Sequence, residues 1–157
     1  MRRRRKAMGK RFGKSKFSVK GAPDKRTEKT REEKRVDGER YPLLFSFKDW
    51  DQNQCPPGQT WAEWEKEGLL TSLMDKLVQL SQKDCVEASQ QQCIKVYGQF
   101  PPRSDFKVPQ FIEGEVEWAV IEDVGGQKHR VAGYMIDNVF YVVFLDKEHK
   151  FWKMGKR

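Results

Sequence analysis

Long apolar runs are missing from this chain. No stretch of its 157 residues approaches the roughly eighteen apolar residues that cross a bilayer. No apolar segment follows the basic residues Arg2 to Lys6, so a secretory leader is not expected either. Cysteine is scarce. Cys55, Cys85 and Cys93 are odd in number and show no C-x-x-C spacing, which argues against a disulfide framework and against a zinc site. Reduced, packed thiols in a cytoplasmic protein are the expectation. His129 and His149 do not complete a close ligand set with them, so neither metal nor cofactor is expected. The chain has no P-loop, no G-x-G-x-x-G and no G-x-S-x-G, and no motif pairs a cysteine with an activating base.

Acidic residues are missing from one place, and that absence organises the rest. Residues 1–22 carry ten basic side chains and no carboxylate. The ten are Arg2, Arg3, Arg4, Arg5, Lys6, Lys10, Arg11, Lys14, Lys16 and Lys20. With Gly9, Gly13 and Gly21 among them, this segment cannot bury enough apolar surface to offset its ordering entropy, so a disordered arm is expected. Blocks of like charge also serve as nucleic-acid-binding arms, and Phe12 and Phe17 could stack on bases. Residues 23–40 mix the signs and read as a linker or a short exposed helix. Residues 1–40 hold seventeen Lys or Arg and six Asp or Glu, a net of +11, whereas residues 41–157 hold fourteen and seventeen, a net of −3. The chain therefore divides into a basic arm, 1–40, and one domain, 41–157.

The domain reads as α+β. The pattern predicts a first strand over 41–47, with Leu43, Phe45 and Phe47 on one face and Pro42 confining it to an edge or a strand start. A Pro56-Pro57-Gly58 turn follows. Thr60 and Glu63 form a capping-box pattern, after which Trp61, Trp64, Leu69, Leu73, Leu77 and Leu80 recur at helical spacing. Gly68 can divide that run into two helices. Residues 81–94 predict a further helix, capped by Ser81 or Asp84. Gly98, Pro101, Pro102 and Pro109 predict an irregular segment from 97. Residues 115–124 alternate as a strand. The apolar runs 131–136 and 139–145 flank Asp137-Asn138, which predicts a type I′ hairpin. Both faces of 139–145 are apolar, so it is expected to be the central strand of a small antiparallel sheet with two or three helices packed on one face.

Glu113, Glu115 and Glu117 share one face of a strand pattern, which ordinarily marks a solvent face. The remaining polar set near the C-terminus is more suggestive. RNA cleavage to a cyclic phosphate needs a base, an acid and cations around the developing charge, and no cofactor. His149, His129, Arg130, Tyr134 and Asp146 supply those groups, with His149 as acid or base and Asp146 orienting it.

From Glu117 to Trp152 the chain resembles small bacterial proteins of mobile elements. Their C-terminal half ends in a pattern like R-V-x-G-F/Y-x-I/D-D/N-x-V/F-F/Y-x-V-x-L-D-x-x-H-K-L/F-Y/W. Arg130, Gly133, Tyr134, Asp137, Asn138, Phe140, Tyr141, Leu145, Asp146, His149, Lys150 and Trp152 stand at those positions. Helices followed by an antiparallel sheet with a near-terminal His or Tyr also resemble RelE-type toxins. That resemblance implies a metal-independent endoribonuclease of a toxin–antitoxin pair, with an antitoxin or the ribosome as partner. The rival expectation is a non-enzymatic accessory subunit of a larger nucleoprotein complex, bound to RNA or DNA through its arm.

Overall fold

The computed structural model describes residues 40–153. The basic arm, with Arg2 to Lys20, lies outside the described residues. Five strands form one sheet: β1 (Leu44–Ser46), β2 (Ile94–Gly98), β3 (Glu117–Ile121), β4 (Arg130–Ile136) and β5 (Val139–Asp146). Their order across the sheet is β1-β5-β4-β3-β2. All neighbours are antiparallel except β1, which runs parallel to β5. Three helices, α1 (Trp61–Lys66), α2 (Leu69–Ser81) and α3 (Cys85–Gln90), lie between β1 and β2 in the chain. The domain is α+β.

Local chemistry sets the helix ends. Thr60 accepts from the Glu63 N–H at 3.3 Å, and the Glu63 carboxylate accepts from the Thr60 N–H at 2.7 Å. Asp84 and Glu87 repeat this reciprocal cap at α3. Gly68 does divide the long helical run: it sits at φ 72°, a left-handed conformation that stops α1 before α2 begins. The C-terminal helix is shorter than the expected 81–94, and Ile94 opens β2 instead.

The sheet has two unlike faces. On one, Leu69, Leu73, Leu77 and Leu80 of α2 pack with Trp64, Ala119, Ile121, Val131, Phe140, Val142 and Leu145. Each such fully buried aliphatic side chain contributes about 1.5–3 kcal/mol. On the other face, loops replace helices: Phe106, Ile112 and Phe151 cover Trp118, Val120, Ala132, Tyr134 and Phe144. Strand β5 is apolar on both sides because both sides are covered. It is not the central strand, however. Strand β4 holds the middle of the order, and β5 stands between it and the edge strand β1.

Two details fix the β4–β5 pairing. Val142 pairs with Gly133 and Phe144 with Ala132, so Val143 is an extra residue bulged between them. A Cβ on Gly133 would lie 1.9 Å from the Tyr141 carbonyl oxygen, so the strands close only around glycine there. The hairpin turn is not type I′. Asp137 has φ 52°, but Asn138 is not in the left-handed region that type I′ also requires. Asn138 instead donates from its side chain to the Pro42 carbonyl at 2.8 Å, which ties the turn to the start of β1.

Candidate functional site

Antiparallel pairing brings Arg130, at the start of β4, opposite Asp146, at the end of β5. His129 precedes the first and His149 follows the second, so four of the five expected residues gather at one end of the sheet. Lys128 and Glu148, 3.4 Å apart, bridge the same two chain segments. Tyr134 is not with them. It stands four residues along β4, about 13 Å from Arg130 at ordinary strand rise.

His129, Arg130 and Asp146 are each engaged. The His129 ring nitrogen Nδ1 lies 3.2 Å from the Val124 carbonyl oxygen. Arg130 donates to the Gln127 and His129 carbonyls and lies 3.7 Å from Glu122 and 3.8 Å from Asp123. Its Nε is buried with no hydrogen-bond partner among the described residues. Asp146, 1 % exposed, accepts from the Lys150 N–H at 2.7 Å and from the Phe151 N–H at 2.8 Å. That carboxylate holds the turn after β5. Burial pushes its pKa up, opposed by the two backbone donors and, more weakly, by His149 and Arg130. His149 sits inside that turn at φ 58°, half-buried.

Tyr134 belongs to the loop-covered face. Its hydroxyl donates to the Asp49 carboxylate, and its ring stacks on Tyr141 with centroids 4.7 Å apart. Burial first, and Asp49 second, raise its pKa far above the usual phenol value. A phenol held this way is a poor proton donor at neutral pH.

A cleft of about 540 Å³ opens beside the sheet-end cluster. Lys147, Glu148 and Lys150 line it, together with Asp105, Glu63 and the loop from Cys55 to Gln59; His149 does not. Most of its charged groups have partners: Lys147 with Glu67, Asp105 with Lys153, Glu63 with the Thr60 cap. Cys55 is no activated nucleophile, because burial, Glu63 and Asp51 all raise its pKa. Sequence reasoning passed over Asp105, Gln59 and the Cys55 loop as sites. The proline-rich turn was legible, but its place against the β5 exit depends on Gln59, whose N–H donates to the Leu145 carbonyl and whose side-chain oxygen accepts from the Lys147 N–H, bonds that no local pattern announces.

Among the described residues no group of three His, Cys, Asp or Glu side chains is placed to hold a metal ion. Glu113, Glu115 and Glu117 are exposed, but only Glu117 lies in β3, so the first two are loop residues rather than part of a strand face. No described helix is long and apolar enough to cross a membrane. Comparison with protein-family models, with curated proteins and with solved structures returned no match.

Proposed function

We propose that this chain is a nucleic-acid-associated accessory protein: its arm makes the phosphate contacts and its α+β body docks within a larger, cytoplasmic nucleoprotein assembly. The observation that carries this reading is the separation of charge. Residues 1–40 hold a net of +11 and residues 41–157 a net of −3, so attraction to a polyanion is concentrated in the arm. The state of the polar cluster agrees with it. Asp146 is committed to backbone donors, Arg130 to carbonyls and carboxylates, and Tyr134 to Asp49 on another part of the sheet.

One observation favours a second reading, a RelE-type ribonuclease of a toxin–antitoxin pair. His129, Arg130, Asp146 and His149 do share one end of the sheet. The body's net negative charge is a handicap for such an enzyme. The experiment for the leading reading is a salt titration of RNA and DNA binding by the full chain. The comparison is a variant with the ten basic residues of 1–22 changed to glutamine. Affinity should fall steeply with salt for the wild type and largely vanish in the variant, for RNA and DNA alike. Equal affinity in the two proteins overturns the proposal.

A further inference from the structure

The body's charge is itself unevenly spread. The loops 101–107 and 147–153 touch, joined by the Asp105 N–H donating to the Lys150 carbonyl at 3.1 Å. Together they carry five cations, Arg103, Lys107, Lys147, Lys150 and Lys153, against the carboxylates Asp105 and Glu148. That is a local +3 in a body whose total is −3. Lys147 and Lys153 are ion-paired, to Glu67 and Asp105. Arg103, Lys107 and Lys150 make no ion pair with the described residues; the first two are exposed and Lys150 is half-buried.

An aromatic pair stands beside it. Trp152, in the second loop, stacks on Tyr97 of β2 with centroids 3.9 Å apart and planes 9° from parallel. Both rings are partly buried against the cluster that encloses Trp118 and Phe151 almost completely, and each keeps some surface open to solvent. The cleft of about 540 Å³ borders the same loops, but Glu63, Asp105 and Glu148 line it with Lys147 and Lys150, so it is not where phosphates would lie. Cations for phosphates and a flat ring pair for bases are parts from which single-strand sites are built.

We propose that loops 101–107 and 147–153 form a binding site for single-stranded nucleic acid. The Tyr97–Trp152 stack is the platform for a base, and Arg103, Lys107 and Lys150 contact the phosphates. This rests on the reading of the chain as a nucleic-acid-associated protein, and adds a division of labour. The arm binds any polyanion by charge, whereas the loop surface prefers exposed bases, since a duplex keeps its π-faces stacked internally.

The test uses the full chain. A 4-thiouridine-substituted oligonucleotide of about a dozen nucleotides, within the usual site size, is photo-crosslinked and the attachment sites mapped. Attachment at Trp152 or Tyr97, beyond any in the arm, supports the site; attachment confined to residues 1–39 overturns it. Binding to oligouridylate and to duplex of equal length is then compared. Trp152→Ala should weaken single-strand binding by about tenfold, the loss of one stacked base, with duplex binding unchanged. Trp152→Phe should restore most of it. The variant Arg103→Gln, Lys107→Gln, Lys150→Gln, whose positions lie outside the core, should reduce the single-strand salt slope by about two, at roughly 0.7 per phosphate contact. If these variants match the wild type on both ligands, the ring pair is only a seal over the aromatic cluster and the site does not exist. Failure of the arm reading is separate: it shows as full affinity after arm neutralisation, an outcome that leaves the crosslinks and the Trp152 effect in place.

Discussion

The Tyr134 hydroxyl donates to the carboxylate of Asp49, eighty-five positions earlier in the chain. The bond joins the middle strand of the sheet to the loop that follows β1, and it occupies a phenol that the sequence offers to catalysis. Tyr134→Phe should leave any nucleic-acid binding unchanged. It should cost about 1.5–3 kcal/mol, the usual worth of a hydrogen bond to a charged group, read from denaturant unfolding. The pH dependence has a definite sign. The folded-state pKa of Tyr134 is raised, by burial first and Asp49 next. Its stabilising contribution is therefore intact below the unfolded phenol value near 10. It declines as pH rises above that, because the unfolded chain releases the proton first. Absorbance titration of tyrosinate should show Tyr134 ionising late, and Asp49→Asn should bring it earlier.

Asp146 makes a sharper stability test. With its carboxylate gone, two backbone N–H groups at the β5 exit lose their acceptors, one of them buried. Asp146→Ala should cost about 2–4 kcal/mol by that count. Asp146→Asn keeps one acceptor oxygen and should cost less. Thermal unfolding of the two variants at neutral pH orders them. If alanine is the milder change, the carboxylate does not hold the turn.

His149 separates the two functional readings. At φ 58° its backbone is in a region that costs a non-glycine residue about 1 kcal/mol. His149→Gly should therefore keep or slightly raise the melting temperature. On the accessory reading, expression of the wild-type chain leaves cellular RNA intact and growth normal, also in a lysate with translating ribosomes. A ribonuclease would cut RNA there, and lose about a hundredfold or more in rate on His149→Ala. RNA cleavage that depends on His149 decides for the enzyme.

Gly133 should tolerate no side chain. Its Cβ position is 1.9 Å from the Tyr141 carbonyl oxygen and 2.9 Å from the Phe140 ring, so Gly133→Ala must push β4 and β5 apart. Amide hydrogen exchange should show protection lost first across residues 139–146. Val143→Asp, at a fully buried position, should unfold the domain outright. An unpaired buried charge costs several kcal/mol against a stability of about 5–15. A folded Val143→Asp protein would mean that β5 is not covered on both faces.

How far the fold was legible follows from the range of each interaction. Thr60 with Glu63, the helical recurrence of leucines and the break at Gly68 are read within one or two turns, and all three appear in the structure. The pairing of 131–136 with 139–145 is likewise local, because two residues connect the runs. Strand β2 escaped notice. Ile94, Val96 and Gly98 make a short, half-exposed edge whose partner, β3, arrives about twenty residues later. The rank of β4 as middle strand was equally out of reach, since it depends on where β1 attaches, and β1 joins β5 in parallel across nearly a hundred positions.

The amino-acid sequence by itself determined the separation of charge, the Thr60–Glu63 cap, the break at Gly68 and the pairing of the hairpin strands, since net charge needs no geometry and the others are settled between near neighbours. Tertiary structure decided which polar residues stand free. Arg130 and Asp146 were drawn into the hydrogen bonds that close the sheet end, Tyr134 was taken by Asp49, and Trp152 was laid on Tyr97 beside unpaired cations. A side chain's availability is set by the partners that folding brings within about 3 Å of it; for Tyr134 that partner comes from a distant part of the chain, whereas Arg130 and Asp146 bond within five residues, to backbone groups that the turns at the sheet end present to them.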